Sequence, residues 1–276
     1  MPELPEVETI VNNLRAGNSS HPSIVGMRIT GVEVLWNRSV AIPDLVTFKQ
    51  VVTGRRIEAI NRRGKYLVFN LDADNFLLIH LRMSGDLLVE SQSQPISTHV
   101  RVIFNLENGM RLGFHDARKF GRVWLTKNPD DVLSALGPEP LDETLSAEAF
   151  YDRIHSRHRQ LKPLLLDQSF IAGLGNIYTD EALFLAGLHP LTISDQLTFQ
   201  QSNRLLDSIR QVLTEGIRRN GASIDWVYRG GDFQNYFHVY QRNGEDCQRC
   251  GSLIQRAVVG QRGTHFCPKC QPEPGR

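Results

Sequence analysis

Val100-Arg101-Val102-Ile103-Phe104-Asn105-Leu106-Glu107-Asn108-Gly109-Met110-Arg111-Leu112-Gly113-Phe114 decides the fold class of the first half of this chain. Val100, Val102, Phe104 and Leu106 recur at the two-residue period of a strand with one buried face. Asn108-Gly109 is the residue pair that a two-residue hairpin turn demands, because both positions need a positive φ. The spacing therefore predicts a second strand over Arg111–Phe114, antiparallel to the first. Working outward, further strands are predicted over Arg56–Asn61, Tyr66–Leu71 and Phe76–Leu81. Met27 and Ile29, then Val32, Val34 and Trp36, alternate with a phase shift at Gly31 that predicts a bulge. Short strands at this spacing imply a β-sandwich or barrel.

Helices flank this β-rich region. Val7, Ile10, Val11 and Leu14 fall at helical spacing behind Pro5, with Glu6 and Glu8 favourably placed for the helix dipole. Gly137-Pro138-Glu139-Pro140 interrupts any regular element and reads as a domain boundary. Beyond it Phe150 and Ile154 share one helix face, and helices are predicted over Pro163–Ser169 and Ile177–Ala186. A long helix carries Leu205, Ile209, Val212, Leu213 and Ile217 and ends at Asn220-Gly221. The reading is an α+β chain with domains at 1–137, 138–236 and 237–276.

Composition narrows the class of function without naming it. With 41% hydrophobic residues over 276 positions the chain can bury a sizeable core. No run of about 18 apolar residues exists and the N-terminus lacks a basic region followed by an apolar stretch, so a cytoplasmic location is expected. The net charge of +1 means that any nucleic-acid surface must come from local clustering, as at Arg55, Arg56, Arg62, Arg63 and Lys65.

All four cysteines lie near the C-terminus, spaced Cys-x2-Cys-x16-Cys-x2-Cys: Cys247, Cys250, Cys267 and Cys270. Two such knuckles fill the four positions of one tetrahedral zinc and leave none open, so one structural Zn2+ is expected. His265 is close in sequence but is read as a bystander. Between the knuckles, Arg262 on a hairpin could meet a phosphate bidentately or simply be solvated. Gly173-Leu174-Gly175-Asn176 opens a helix and offers either an anion site or a packed connector. Met83 and Phe120 follow predicted strands beside arginines. Each suits a core, and each also suits a wedge into a base stack.

The first residues, Met1-Pro2-Glu3-Leu4-Pro5-Glu6, carry the remaining chemistry. Removal of Met1 would leave a secondary amine whose pKa, near ~8, provides unprotonated nucleophile at neutral pH. Two carboxylates follow at once.

Taken together, Pro-Glu-Leu-Pro-Glu-Val-Glu-Thr at 2–9, Arg-Arg-Gly-Lys-Tyr-Leu at 62–67, Ala-Gly-Leu-Gly-Asn-Ile-Tyr at 172–178 and Gln-Arg-Gly-Thr-His-Phe-Cys at 261–267 closely resemble bacterial formamidopyrimidine-DNA glycosylases. The resemblance implies an N-terminal β-sandwich, a helix–two-turn–helix domain and a zinc finger. It implies a monomer that binds bent duplex DNA between its domains, with the oxidised purine flipped out, and so an association with the nucleoid. It implies that Pro2 attacks the sugar, that Glu3 protonates the ring oxygen, and that Glu6 holds this region in register. Lys65, His80, Asn176 and Arg262 would clamp phosphates, Lys65 and Arg262 next to the chemistry, with Tyr178 also on the DNA. Met83, Arg118 and Phe120 would fill the gap, with Arg118 on the orphaned cytosine. The activity expected is glycosylase and strand-nicking lyase. An enzyme of the endonuclease VIII type, acting on oxidised pyrimidines, and a catalytically silent DNA binder are the alternatives. The loop from Ser223 to Phe237, reading Asp225-Trp226-Val227-Tyr228-Arg229-Gly230-Gly231, departs from the family pattern and bears on lesion preference.

Overall fold

The computed structural model describes residues 1–223 and 230–274, so the departing stretch at 224–229 lies outside the described residues. Two compact units form. The first contains Met1–Ser134. The second contains Ala135–Ala222 and the residues from Gly231 onward.

In chain order the first unit comprises α1 (Leu4–Ala16), β1 (Ile29–Val34), β2 (Val40–Ile42), α2 (Leu45–Val52), β3 (Ile57–Arg63), β4 (Tyr66–Leu71), β5 (Asn75–His80), β6 (Gly85–Ser91), β7 (Val100–Leu106), β8 (Met110–Asp116), β9 (Arg122–Thr126) and α3 (Asp130–Leu133). It is a sandwich of a four-stranded sheet, ordered β1-β7-β8-β6, and a five-stranded sheet, ordered β2-β9-β5-β4-β3. Only the β2–β9 pair is parallel. Val102, Phe104, Leu106, Leu112 and Phe114 share one core with Leu67, Phe69, Leu77, Ile79, Val123 and Leu125. Val7, Ile10, Val11 and Leu14 of α1 join it, as the periodicity predicts, each such side chain stabilising the fold by roughly 1.5–3 kcal/mol.

The hairpin forms, but as a three-residue connection over 107–109 in which Gly109 takes φ 78° and Asn108 does not have a positive φ, so the expected two-residue turn is corrected; the bulge forms between Ile29 and Gly31. The polar residues of the alternation are less exposed than a half-buried sheet implies. Arg101 and Arg111 are buried because the segment before β7 drapes over them: Arg111 donates to the carbonyls of Gln94 and Pro95, and Arg101 to that of Thr98. Elements absent from the sequence reading are β2, α2, β6, β9 and α3. Asp44 caps α2 by accepting from the N–H groups of Val46 and Thr47.

Register brings the functional loops to one end of this unit. Tyr66 pairs with His80, His80 with Arg122, and Gly85 with Asp116. The turn at Gly64-Lys65, the segment 81–84 and the loop 117–121 therefore emerge side by side. Glu8 of α1 binds Arg62 at 2.6 Å, so α1 begins beside that same turn.

The second unit comprises α4 (Ala147–His155), α5 (Leu161–Leu165), α6 (Asn176–Ala186), α7 (Phe199–Arg218), β10 (Gln255–Val259) and β11 (Arg262–Phe266). Ser146 caps α4, and Thr198 with Gln201 forms a capping box on α7. α6 stops at Gly187, which takes the left-handed conformation at φ 66°. The helix expected over Pro163–Ser169 starts two residues earlier and ends at Leu165, because Gln168 turns back to bond the carbonyls of Leu166 and Leu174. β10 and β11 pair antiparallel.

Candidate active site and metal centre

At the start of α1 the backbone N–H of Glu3 donates to Oε2 of Glu6 at 2.7 Å, between two buried carboxylate residues. Pro2 is buried too. An acidic pair at a helix N-terminus is favoured by the free N–H groups and the dipole of the first turn. Here that pair fixes the backbone on which the Pro2 nitrogen hangs.

Lys65 is buried in the neighbouring turn, which is anchored by Gly64 at φ 56° and by Arg62 donating to the Gly64 carbonyl. His80 is also buried. Its Nδ1 accepts from the N–H of Arg82 at 2.9 Å, which leaves Nε2 to carry the proton. Burial, then the charges of Arg82 and Lys65, lower its pKa to about 3. His80 is thus a neutral hydrogen-bond donor at physiological pH, and Lys65 supplies the charge.

Met83 and Phe120 are 39% and 49% exposed, so they are not core residues. The Arg118 guanidinium lies over the Phe120 ring at 5.3 Å. The structure thus places an apolar pair and an arginine on adjacent loops at one end of the sandwich.

In the second unit, Nδ2 of Asn176 donates to the Gly263 carbonyl at 2.9 Å. That bond brings the N-terminus of α6 against the β10–β11 turn, where Gly260 and Gln261 have positive φ and Arg262 is exposed. Asn176 and Arg262 therefore share one polar surface. Tyr178 does not. Its ring is fully buried and stacked 5.2 Å from Phe233, so its side chain belongs to the core and does not reach that surface. Two residues beyond Asn176, it points to the opposite, inward face of α6.

The four cysteine Sγ atoms lie within 4.8 Å of one another. Cys250 and Cys267 are 3.4 Å apart, and Cys247 and Cys270 are 3.9 Å apart. Four converging thiols with no water position suit a structural zinc and no catalytic one. Hydrogen bonds from Ser252 bring the Cys250 thiol down to about 6, toward the thiolate that a metal needs. His265 is occupied elsewhere, its N–H and Nδ1 both meeting Oδ2 of Asp180, at 2.9 and 3.3 Å.

Three pairings escape sequence reasoning: Lys162 with Asp180, Ser84 with Asp116, and Glu181 with the backbone N–H groups of His238, Val239 and Tyr240. The adjacent acids Asp180-Glu181 in an otherwise apolar helix were the available signal, since buried carboxylates require partners.

Comparison with known proteins agrees with this architecture segment by segment. Residues 1–123 match the formamidopyrimidine-DNA glycosylase N-terminal domain, residues 136–227 its H2TH domain, and residues 244–272 the zinc finger found in FPG and IleRS. The formamidopyrimidine-DNA glycosylase of Protochlamydia amoebophila is 43% identical over 98% of this chain and 99% of its own length. That of Chloroflexus aurantiacus is 47% identical over 98% of each. A Lactococcus lactis FPG variant solved with DNA containing Fapy-dG superposes with a TM-score of 0.91 at 37% identity, over 99% of this chain and 100% of that one. The Lactococcus lactis Fpg solved with abasic-site DNA gives the same score and identity, over 98% of this chain and 100% of that one. With its three segments matched in order and relatives aligned over nearly the full length, the chain belongs to the formamidopyrimidine-DNA glycosylase family.

Proposed function

We propose that this protein is a bifunctional DNA glycosylase and abasic-site lyase that removes oxidised purines from duplex DNA. The observation that carries the reading is Pro2, set directly before a buried Glu3 whose backbone is pinned by Glu6. Relatives solved with Fapy-dG and abasic-site DNA supply the substrate class.

In this reading removal of Met1 frees the Pro2 nitrogen. Its lone pair forms a bond to the deoxyribose C1′, the damaged base leaves with the electrons of the glycosidic bond, and the N–H proton of the new ammonium passes to the departing base. Glu3 gives a proton to the ring oxygen, the C1′–O bond opens, and a cationic iminium remains on Pro2. That cation acidifies the adjacent carbon, and loss of its proton expels the 3′ phosphate; a second elimination expels the 5′ phosphate. Lys65 and Arg262 supply charge to the phosphates, and His80 and Asn176 supply neutral donors. Met83, Arg118 and Phe120 occupy the gap left by the flipped nucleotide. The zinc holds Arg262 on its hairpin and takes no part in the reaction. Because several phosphate contacts are involved, binding weakens steeply with salt.

The test is borohydride trapping on a duplex with 8-oxoguanine opposite cytosine, using protein shown by mass to lack Met1. A covalent adduct that disappears in Pro2→Gly, and when Met1 is retained, supports the iminium route. Absence of both adduct and nicked strand with DNA binding intact overturns it.

A further inference from the structure

Asp116, the last residue of β8, is 1% exposed, and both of its carboxylate oxygens are engaged by two different loops. Oδ1 accepts from the Ser84 hydroxyl at 2.5 Å and from the N–H of Arg118 at 3.2 Å. Oδ2 accepts from the N–H of Gly121 at 2.6 Å. The Asp116 carbonyl accepts from Nε of Arg101 at 2.7 Å and from the N–H of Lys119 at 3.3 Å. The Ser84 hydroxyl, also buried, in turn accepts from the N–H of Arg118 at 3.2 Å. One buried side chain therefore holds the loop of Arg118 and Phe120 at both ends, and through Ser84 ties it to the loop of Met83.

Neither loop has a relaxed backbone. Arg82 and Lys119 have φ of 55° and 62°, conformations that side-chain-bearing residues rarely adopt. Such residues persist only where surrounding bonds over-determine them. Lys119 is further held over the Trp36 ring at 4.2 Å. A Cβ at Gly121 would sit 2.3 Å from the Phe114 ring, so the loop cannot slide toward the sheet. The exposed tips are reached from the flanks, by the Arg118 guanidinium over the Phe120 ring and by Arg122 donating to the Phe120 carbonyl at 3.3 Å. Their placement is set from the flanks and from below.

We infer that the buried Ser84–Asp116 pair is a positioning device that makes Met83, Arg118 and Phe120 act as a single preformed wedge. The inference rests on the reading of those three residues as gap fillers. Its physical basis is preorganisation: a wedge fixed before encounter loses little conformational freedom on insertion, whereas two independent loops must be ordered by the DNA itself. The pair then contributes to recognition of gapped DNA specifically, and not to contacts with intact duplex.

The test uses the full zinc-loaded chain and two duplexes, one with a tetrahydrofuran abasic analogue opposite cytosine and one undamaged. Preference for the abasic duplex is compared among wild type, Ser84→Ala, Arg118→Ala and the double variant, with 2-aminopurine beside the gap reporting unstacking. Ser84→Ala is expected to lower the preference about tenfold, to reduce the 2-aminopurine signal, and to leave binding to the undamaged duplex unchanged. The double variant is expected to be no worse than Arg118→Ala, because both act through one wedge. Should Ser84→Ala fail to fold, the isosteric Asp116→Asn gives the same comparison. If Arg118→Ala lowers the preference and Ser84→Ala does not, or if their effects add, the positioning role is overturned while the gap-filling reading stands. If Arg118→Ala leaves the preference unchanged, the gap-filling reading fails and the inference falls with it.

Discussion

Nζ of Lys162 lies 2.5 Å from Oδ1 of Asp180, and neither side chain is exposed to solvent. Lys162 also donates to the carbonyl of Asn176 at 3.1 Å, and the second oxygen of Asp180 receives the N–H of His265. The pair thus joins α5 to α6 and β11, the two elements that carry Asn176 and Arg262. Breaking a buried ion pair from one side leaves the other charge uncompensated, at about 3–5 kcal/mol. Lys162→Ala is expected to lose stability of that order in urea unfolding. Lys162→Met with Asp180→Leu, which removes both charges, is expected to recover part of it. Equal losses in the single and double variants would refute the pairing energy.

His80 gives the folded state a pH dependence with a definite sign. An unfolded imidazole titrates near ~6.5, whereas burial holds the folded one at about 3. Above pH 6.5 neither state is protonated and the residue has no effect. Below it the unfolded chain binds a proton that the folded chain cannot, so stability falls by about 1.4 kcal/mol per pH unit until the pH nears the folded value. Between pH 7.5 and 5.0 the loss in wild type is expected to exceed that in His80→Gln by about 2 kcal/mol. Identical pH profiles from denaturant titrations would show that His80 is solvated and protonates freely.

The module around the four cysteines buries few apolar residues: Phe184, Val239 and Ile254 beside Cys247 and Cys267. Too small a core remains to hold the β10–β11 hairpin without metal, and structural zinc typically contributes about 10–16 kcal/mol in such modules. Chelation, or Cys250→Ser, is expected to release the zinc to a colorimetric chelator and to abolish DNA binding with the loss of Arg262's position. Most far-ultraviolet circular dichroism should persist, since the sandwich and α4–α7 have their own cores. Retained DNA binding after full zinc release would contradict the structural role.

β4 and β7 were legible in the sequence because Leu67, Phe69 and Leu71, and Val102, Phe104 and Leu106, face one core, although an irregularity in β7 between Val100 and Val102 breaks its period at the start. β6 and β9 were not. Gly85 begins β6 inside a stretch that reads as a functional loop and Arg122 begins β9 directly after another, and the strand signal that follows each is short. The metal centre was legible because four thiols two residues apart in pairs have few other uses. The Ser84–Asp116 and Lys162–Asp180 pairs were hidden by separations of 32 and 18 residues. No local pattern marks which carboxylate meets which partner across a sheet. The inward placement of the Tyr178 side chain was hidden for a related reason. A motif shows that a tyrosine is present, and only the helix phase shows that it faces inward.

Glu6 offers the sharpest separation between holding the site and reacting in it. Its Oε2 accepts from the backbone N–H of Glu3 at 2.7 Å, a bond that no water replaces in a buried position. Removing the acceptor breaks one half of the capping box at the start of α1, in which the Glu3 side chain also accepts from the backbone N–H of Glu6, and destabilises the helix by about 1 kcal/mol. More consequential is the freedom given to the two residues before it, Pro2 and Glu3, whose relative placement the proposed chemistry requires. Glu6→Ala is therefore expected to slow borohydride trapping on abasic DNA at least about tenfold, equivalent to about 1.4 kcal/mol in the barrier. Affinity for a non-cleavable abasic duplex should change less, because Arg62–Glu8 holds the Lys65 turn on α1 beyond the cap and Arg262 belongs to the other unit. Glu6→Gln keeps an amide oxygen in the same place and is expected to trap at close to the wild-type rate. Should Gln be as slow as Ala, the charge of Glu6 matters and not its hydrogen bond. The residue would then belong with Glu3 in the reaction itself.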